Sequence, residues 1–223
     1  MAPLASWVAN KVILAAASLL LGAFFVNWVA DHPLLWQGPD PSPVAVATAL
    51  RYYSHIYHAP PFFVTTLTSV AGIAVGAAIV KLVINPVAGM LFDGATLLLL
   101  LSATSVYSAN ALAALRYLPL DKLVPGTPEA KAILEKIASG GTGKNALLLE
   151  DVRLVEALQS IAASHMIIAV SLTGVLALQA AQSFADGPTT AGSPDKLPNS
   201  AGVAVPASTA APIPVDGEES EED

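Results

Sequence analysis

Four long apolar stretches separated by polar segments dominate the first 182 residues of the chain. They run over residues 12–30, 62–83, 95–115 and 161–182, and each is close to the ~20 residues that a helix needs to cross a ~30 Å hydrocarbon core. Residues 97–101 are five consecutive leucines, so this helix is apolar all the way round and not only on one stripe. The pattern predicts an all-α polytopic membrane protein with four transmembrane helices, and residues 1–184 are its membrane domain.

Composition agrees with a membrane domain, and the charge separates it from the rest of the chain. Hydrophobic residues make up 54% of the sequence, and the mean hydropathy is +0.62. Up to residue 184, nine Lys or Arg balance nine Asp or Glu, whereas residues 185–223 carry one Lys against eight acidic residues. That segment has six prolines and no aromatic residue, a composition that predicts a disordered acidic tail.

The segments between the spans predict shorter helices. In residues 44–58, Val46, Leu50 and Tyr53 recur at three- or four-residue steps, which favours an interfacial helix. The loop over residues 116–160 contains Thr127-Pro128, an N-cap followed by proline at the first helical position. Lys81, close to the end of the second span, is expected to extend its ammonium to the membrane surface.

Small and hydroxyl side chains inside the spans are the candidate partner-binding residues. Gly72 and Gly76 form a G-x-x-x-G pair, which allows two helices to approach closely. Two interpretations fit these residues: they pack the four helices on one another, or they face outward toward a helix of a partner protein. The candidates for an outward face are Asn27, Thr65, Thr68, Gly72, Gly76, Ser102, Ser105 and Ser108.

Catalysis, metal binding and nucleic-acid binding find little support. A proton relay through His165 needs an acidic partner at similar depth, and Asp93 and Glu156 lie only at the ends of spans. The chain has no cysteine, which excludes thiol chemistry, and it has no basic patch for nucleic acid. The histidines that could share a metal are His32, His55 and His58, but no carboxylate motif accompanies them. We therefore expect no metal, no cofactor and no enzymatic activity.

One modification site is suggested by the tail. Ser220 precedes three acidic residues, so it fits an acceptor for an acidic-directed kinase, although an acidic solubilising tail explains the same residues.

The connector between the first two spans resembles a known family. Its most specific part is the Ala-Leu-Arg-x-Tyr stretch with a later tyrosine and proline, and similarity extends over about residues 12–182. The family is that of the fungal endoplasmic-reticulum packaging chaperones of amino acid permeases, the secretory component family of SHR type. The motif residues are Ala49, Leu50, Arg51, Tyr53, Tyr57 and Pro60.

The resemblance implies a four-span protein of the endoplasmic reticulum that is not an enzyme. Such proteins hold newly inserted amino acid permeases, prevent their aggregation and promote their packaging into COPII vesicles, with both termini in the cytosol. Counting Lys and Arg in the loops favours the opposite orientation. The competing classes are a small tetraspan transporter or channel subunit and a structural tetraspan protein that shapes membranes.

Overall fold

The computed structural model describes residues 2–36, 40–84, 90–140 and 148–185, and the regular structure of these residues is helical. The helices in chain order are α1 (Ala2–Trp36), α2 (Pro43–Tyr57), α3 (Pro61–Ile84), α4 (Met90–Val106), α5 (Leu112–Leu115), α6 (Pro128–Ala138) and α7 (Leu148–Ala185). A π-helical turn, Tyr107–Ala111, joins α4 to α5, and a 3₁₀ turn covers Leu120–Lys122. The tail, residues 186–223, lies outside the described residues, and so does Ser220.

Four of these segments are long and apolar enough to cross a membrane: Leu4–Trp36, Pro61–Ile84, Met90–Leu115 and Val152–Ala185. Within this bundle, α1 packs against α3 and α7, and α4 packs against the same two helices. The centre is filled by small and branched apolar side chains, among them Ile13, Ala17, Ala74, Ala78, Leu100, Leu172 and Val175. The prediction of an all-α protein with four transmembrane helices is confirmed.

A second layer of helices covers one end of the bundle. Helices α2 and α6 pack against each other, and α2 also contacts α1 and α7. Both begin at a capped turn: Ser42 Oγ accepts the Ala45 N–H at 3.2 Å, and Thr127 Oγ1 accepts the Ala130 N–H at 3.3 Å, so one otherwise unpaired N–H group is satisfied at each start. The layer has its own apolar core, formed by Leu34, Leu50, Leu118, Leu120, Leu123, Leu158 and Ile161.

Helix α1 continues beyond the predicted end of the first span. Proline usually ends or kinks a helix because it lacks an N–H group, yet α1 passes through Pro33 and reaches Trp36. The extra turn keeps Asp31 on the same inward side as the buried Ala30 and Leu34. A residue expected just outside the first span is therefore placed inside the protein.

Candidate functional site

The carboxylate of Asp31 is the centre of a buried polar cluster where α1, α2 and α7 meet. Its Oδ2 atom lies 2.8 Å from Nδ1 of His165, and the hydroxyl of Tyr53 donates a hydrogen bond to Oδ1. One turn earlier on α1, Asn27 Oδ1 accepts a hydrogen bond of 2.7 Å from the hydroxyl of Tyr52. We call these five residues the Asp31 cluster. It joins the membrane bundle to the layer that contains α2.

This cluster overturns the expectation that His165 has no acidic partner at its depth. The expectation ended the first span at residue 30, whereas the longer α1 places Asp31, only 1% exposed, directly against the ring of His165. Burial, and then the negative charge of Asp31, raise the pKa of Tyr53 well above its usual value. The neutral, donating form of this tyrosine is therefore strongly favoured in the folded protein.

A second polar cluster surrounds the ammonium group of Lys81 at the other end of the bundle. Lys81 is only 2% exposed, and its Nζ atom lies 2.8 Å from Oδ1 of Asp93. The expected extension of Lys81 to the membrane surface is therefore wrong, because a carboxylate inside the bundle pairs with the ammonium. The cluster, called the Lys81 cluster below, comprises Asn10, Lys81, Asp93, Thr96, Gln179 and Gln182.

The two clusters are separated by apolar packing. Asn10 and Asn27 are 17 residues apart on α1, which corresponds to about 25 Å along a helix. Ile13, Ala17 and Leu20 line the inward side of α1 between them, and all three are buried. The inward side of α1 between the two clusters is therefore apolar.

Most polar side chains of the two clusters are hydrogen-bonded within their own cluster, whereas Asp93 makes an ion pair with Lys81 and its carboxylate oxygens accept no hydrogen bond among the described residues. The two tyrosine hydroxyls donate to Asn27 and Asp31, and the described residues contain no group of three or more side chains suited to a metal ion. The Nδ1 atoms of His55 and His58 lie within 2.8 Å of backbone carbonyl oxygens of their own helix. The arrangement stabilises a structure and presents no assembled catalytic centre in the part of the chain described.

The candidate residues on α3 lie on the outside of the bundle. Thr65, Thr68, Gly72 and Gly76 are exposed and recur at steps of three or four residues, so they form one line on the helix. A Cβ atom added at Gly72 or Gly76 would meet no atom within 4 Å. The G-x-x-x-G pair is therefore not used to pack these four helices together, and it remains open to another helix.

The candidate residues on α4 also face outward. Ser102 and Ser105 line a shallow groove of about 550 Å³ with Leu82 and Gly94, and Ser108 is exposed on the π-helical turn. Asn27 differs from the rest because its side chain accepts a hydrogen bond from Tyr52 and its amide nitrogen lies 3.4 Å from Nδ1 of His165. The structure thus brings Ser102 and Ser105 together, leaves the α3 residues as a separate line, and puts Asn27 inside.

Some motif residues of the connector are buried in the protein, and others are exposed on its surface. Ala49 and Leu50 are fully buried in the layer above the bundle, and Tyr53 belongs to the Asp31 cluster. Arg51 and Tyr57 are exposed, and Pro60 lies between α2 and α3. The buried half of the motif therefore attaches α2 to the bundle.

These features define an all-α, multi-pass membrane protein with self-contained polar clusters inside and hydroxyl and small residues outside. The chain belongs to the SHR3-type chaperone family: the family model described as ER membrane protein SH3 matches residues 5–192. It is accordingly a chaperone of the endoplasmic-reticulum membrane, and the family points to a role that is not enzymatic. No curated protein and no solved structure showed significant similarity to the chain.

Proposed function

We propose that this protein holds newly inserted amino acid permeases in the endoplasmic-reticulum membrane, prevents their aggregation and promotes their packaging into COPII vesicles. Membership of the SHR3-type family supports a chaperone with membrane-protein clients. The observation that carries the proposal further is the outward position of the hydroxyl and small residues on α3 and α4.

The outward hydroxyls suit transient contact with a client helix. Thr65 Oγ1 donates to the Pro61 carbonyl at 2.8 Å, and Thr68 Oγ1 donates to the Val64 carbonyl at 2.9 Å. Because each hydroxyl is already bonded to its own helix, it can face lipid without an unpaired donor. Its oxygen still has acceptor capacity for a polar group on a client helix.

Weak contacts fit a chaperone whose client must leave. Hydrogen bonds between membrane helices contribute on average only ~0.6 kcal/mol each. An unfinished permease exposes polar residues to lipid until its own helices close, and unpaired polar groups are costly there. Several weak contacts along Thr65, Thr68, Gly72 and Gly76, with Ser102 and Ser105, would protect such groups and yet dissociate.

The test replaces five outward hydroxyl residues with leucine: Thr65, Thr68, Ser102, Ser105 and Ser108. We expect the variant to insert at normal levels but to leave permeases aggregated in the endoplasmic reticulum, measured by sedimentation and by surface delivery. The matched control replaces the exposed Ala163 and Ala177 of α7 with leucine, and permease delivery should stay normal. Normal delivery in the five-residue variant contradicts the proposed surface.

The class of client is tested by deleting the protein and locating several plasma-membrane transporters. Selective retention of amino acid permeases is the expected result. Retention of every transporter, or of none, contradicts the assignment of amino acid permeases as clients.

The proposal also includes the orientation of the protein in the membrane. Four membrane crossings return the C-terminal end of α7 to the side where α1 begins, and we place that side in the cytosol, where COPII components assemble. The layer of α2 and α6 then faces the lumen.

A further inference from the structure

The ammonium group of Lys81 is bonded from every helix of the membrane bundle. Asp93 of α4 contributes the carboxylate at 2.8 Å, and Asn10 of α1 contributes an amide oxygen at 3.2 Å. Gln179 and Gln182 of α7 contribute amide oxygens at 3.0 and 2.5 Å. Since Lys81 itself is on α3, one charged group connects α1, α3, α4 and α7.

The surroundings of Lys81 are specialised for a cation. An ammonium has three N–H donors and no acceptor, and four oxygen atoms converge on it here. The amide of Gln179 is held in the required orientation, because its Nε2 atom donates to Thr96 Oγ1 at 2.8 Å. Gln179 and Thr96 are both essentially unexposed. An extended lysine at a membrane surface needs none of these partners.

We propose that the contacts of Lys81 hold this end of the four-helix bundle closed, and that the set of contacts is complete only when α7 has packed against the other three helices. These contacts are called the lock below. The ion pair forms within the hairpin of α3 and α4, whose partners are 12 residues apart. Helix α7 comes last along the chain and brings two of the four oxygen ligands. The lock therefore fixes the register of α7 against α3, a role for which buried polar groups are well attested.

A proton relay is the main rival role for buried charges in a membrane. Among the described residues, Asp93 is the one other titratable side chain in the cluster, and the groups that face Lys81 from α1 and α7 are amides. Amides do not exchange a proton in this role. The geometry therefore points to a cluster that holds the helices together and not to one that transfers protons.

The chain lacks cysteine, so single reporter cysteines test the lock on a clean background. Ala78 is fully buried one turn before Lys81, and Ala162 is fully buried in the core at the opposite end. Each is replaced by cysteine in the full chain, and the rate of labelling by N-ethylmaleimide is measured in mild detergent. In the parent protein we expect both reporters to be protected.

Lys81→Met removes the cation and leaves Asp93 buried without a partner, which is strongly unfavourable. We expect labelling of Ala78→Cys to rise by at least about a hundredfold and labelling of Ala162→Cys to stay near the parent rate. Gln179→Leu with Gln182→Leu should also open the Lys81 end, because α7 no longer supplies its ligands.

Two further variants keep the result interpretable. Lys81→Met with Asp93→Leu removes both charges, so protection of Ala78→Cys should be largely restored, since an apolar replacement of a buried ion pair is tolerated. Lys131→Met, at an exposed lysine of α6, should change neither reporter. The proposal is overturned if Lys81→Met leaves Ala78→Cys as protected as in the parent. Equal exposure of both reporters also overturns it, because the cluster would then have no local role at its own end.

Discussion

Replacing Tyr53 with phenylalanine tests whether the Asp31 cluster attaches α2 to the membrane bundle. The tyrosine is 3% exposed and its acceptor, Asp31, is 1% exposed, so water cannot take the place of the lost hydroxyl. Phenylalanine keeps the ring and its packing. The loss is therefore one hydrogen bond to a charged acceptor, about 1.5–3 kcal/mol, and we expect the unfolding equilibrium constant to rise about tenfold to a hundredfold.

The same substitution should change how stability depends on pH. Burial, and then the charge of Asp31, raise the pKa of Tyr53 above its usual value. Above pH ~10 the unfolded chain ionises this tyrosine while the folded protein keeps it protonated, so stability falls as pH rises. The slope from this one group is at most about 1.4 kcal/mol per pH unit. Tyr53→Phe lacks that slope, so the stability difference between parent and variant should narrow between pH 10 and 11.

The assay is SDS-induced unfolding in mild detergent, followed by tryptophan fluorescence at pH 8, 10 and 11. Tyr57→Phe is the matched control, because Tyr57 is on the same helix but 58% exposed, and it should match the parent throughout. Tyr52, whose pKa is also raised by burial and by Asp31, remains in every variant and contributes equally. The reasoning is refuted if Tyr53→Phe is as stable as the control, or if its deficit is unchanged from pH 8 to 11.

Two other predictions concern packing and orientation. Gly174→Leu should destabilise the bundle more than Gly72→Leu in the same unfolding assay. A Cβ atom at position 174 would lie 2.9 Å from Cδ1 of Leu99, so that side chain must move, whereas the Cβ position at Gly72 is open. Equal effects would contradict the packing described. Leu147→Thr and Ala201→Thr each create a glycosylation acceptor Asn-x-Thr. With both termini cytosolic, only Leu147→Thr should give a glycan-dependent gel shift, and a shift with Ala201→Thr alone would reverse the orientation.

Hydropathy was sufficient to predict the four spans, because the need to satisfy backbone groups in lipid leaves few alternatives to helices. Local signals were also informative: the spacing of apolar residues indicated α2, and Thr127-Pro128 indicated the start of α6. Pro43, which follows the capping Ser42, carries the same start signal at α2. These are short-range properties of the chain. The π-helical turn at Tyr107–Ala111 had no such signal.

The polar clusters could not be predicted in the same way, because their partners are distant along the chain. His165 and Asp31 are separated by 134 residues, and their contact depends on how α1 and α7 pack. A weaker signal was available for Lys81 and Asp93. Opposite charges on the two sides of a tight hairpin between antiparallel spans are at similar depth, so they can pair instead of reaching the surface separately.

Polar groups inside the membrane bundle and those on its outer surface have different hydrogen-bond partners, and this difference fits the proposed chaperone role. Inside, Lys81 and Asp31 are bonded to side chains of other helices, so separating those helices would leave charges unpaired in a poorly solvating interior. Outside, hydroxyls such as that of Thr65 are bonded to their own helix, so a client helix can approach or leave without breaking a bond that stabilises the chaperone. A protein built in this way can offer reversible polar contacts on its surface while its own helices stay together.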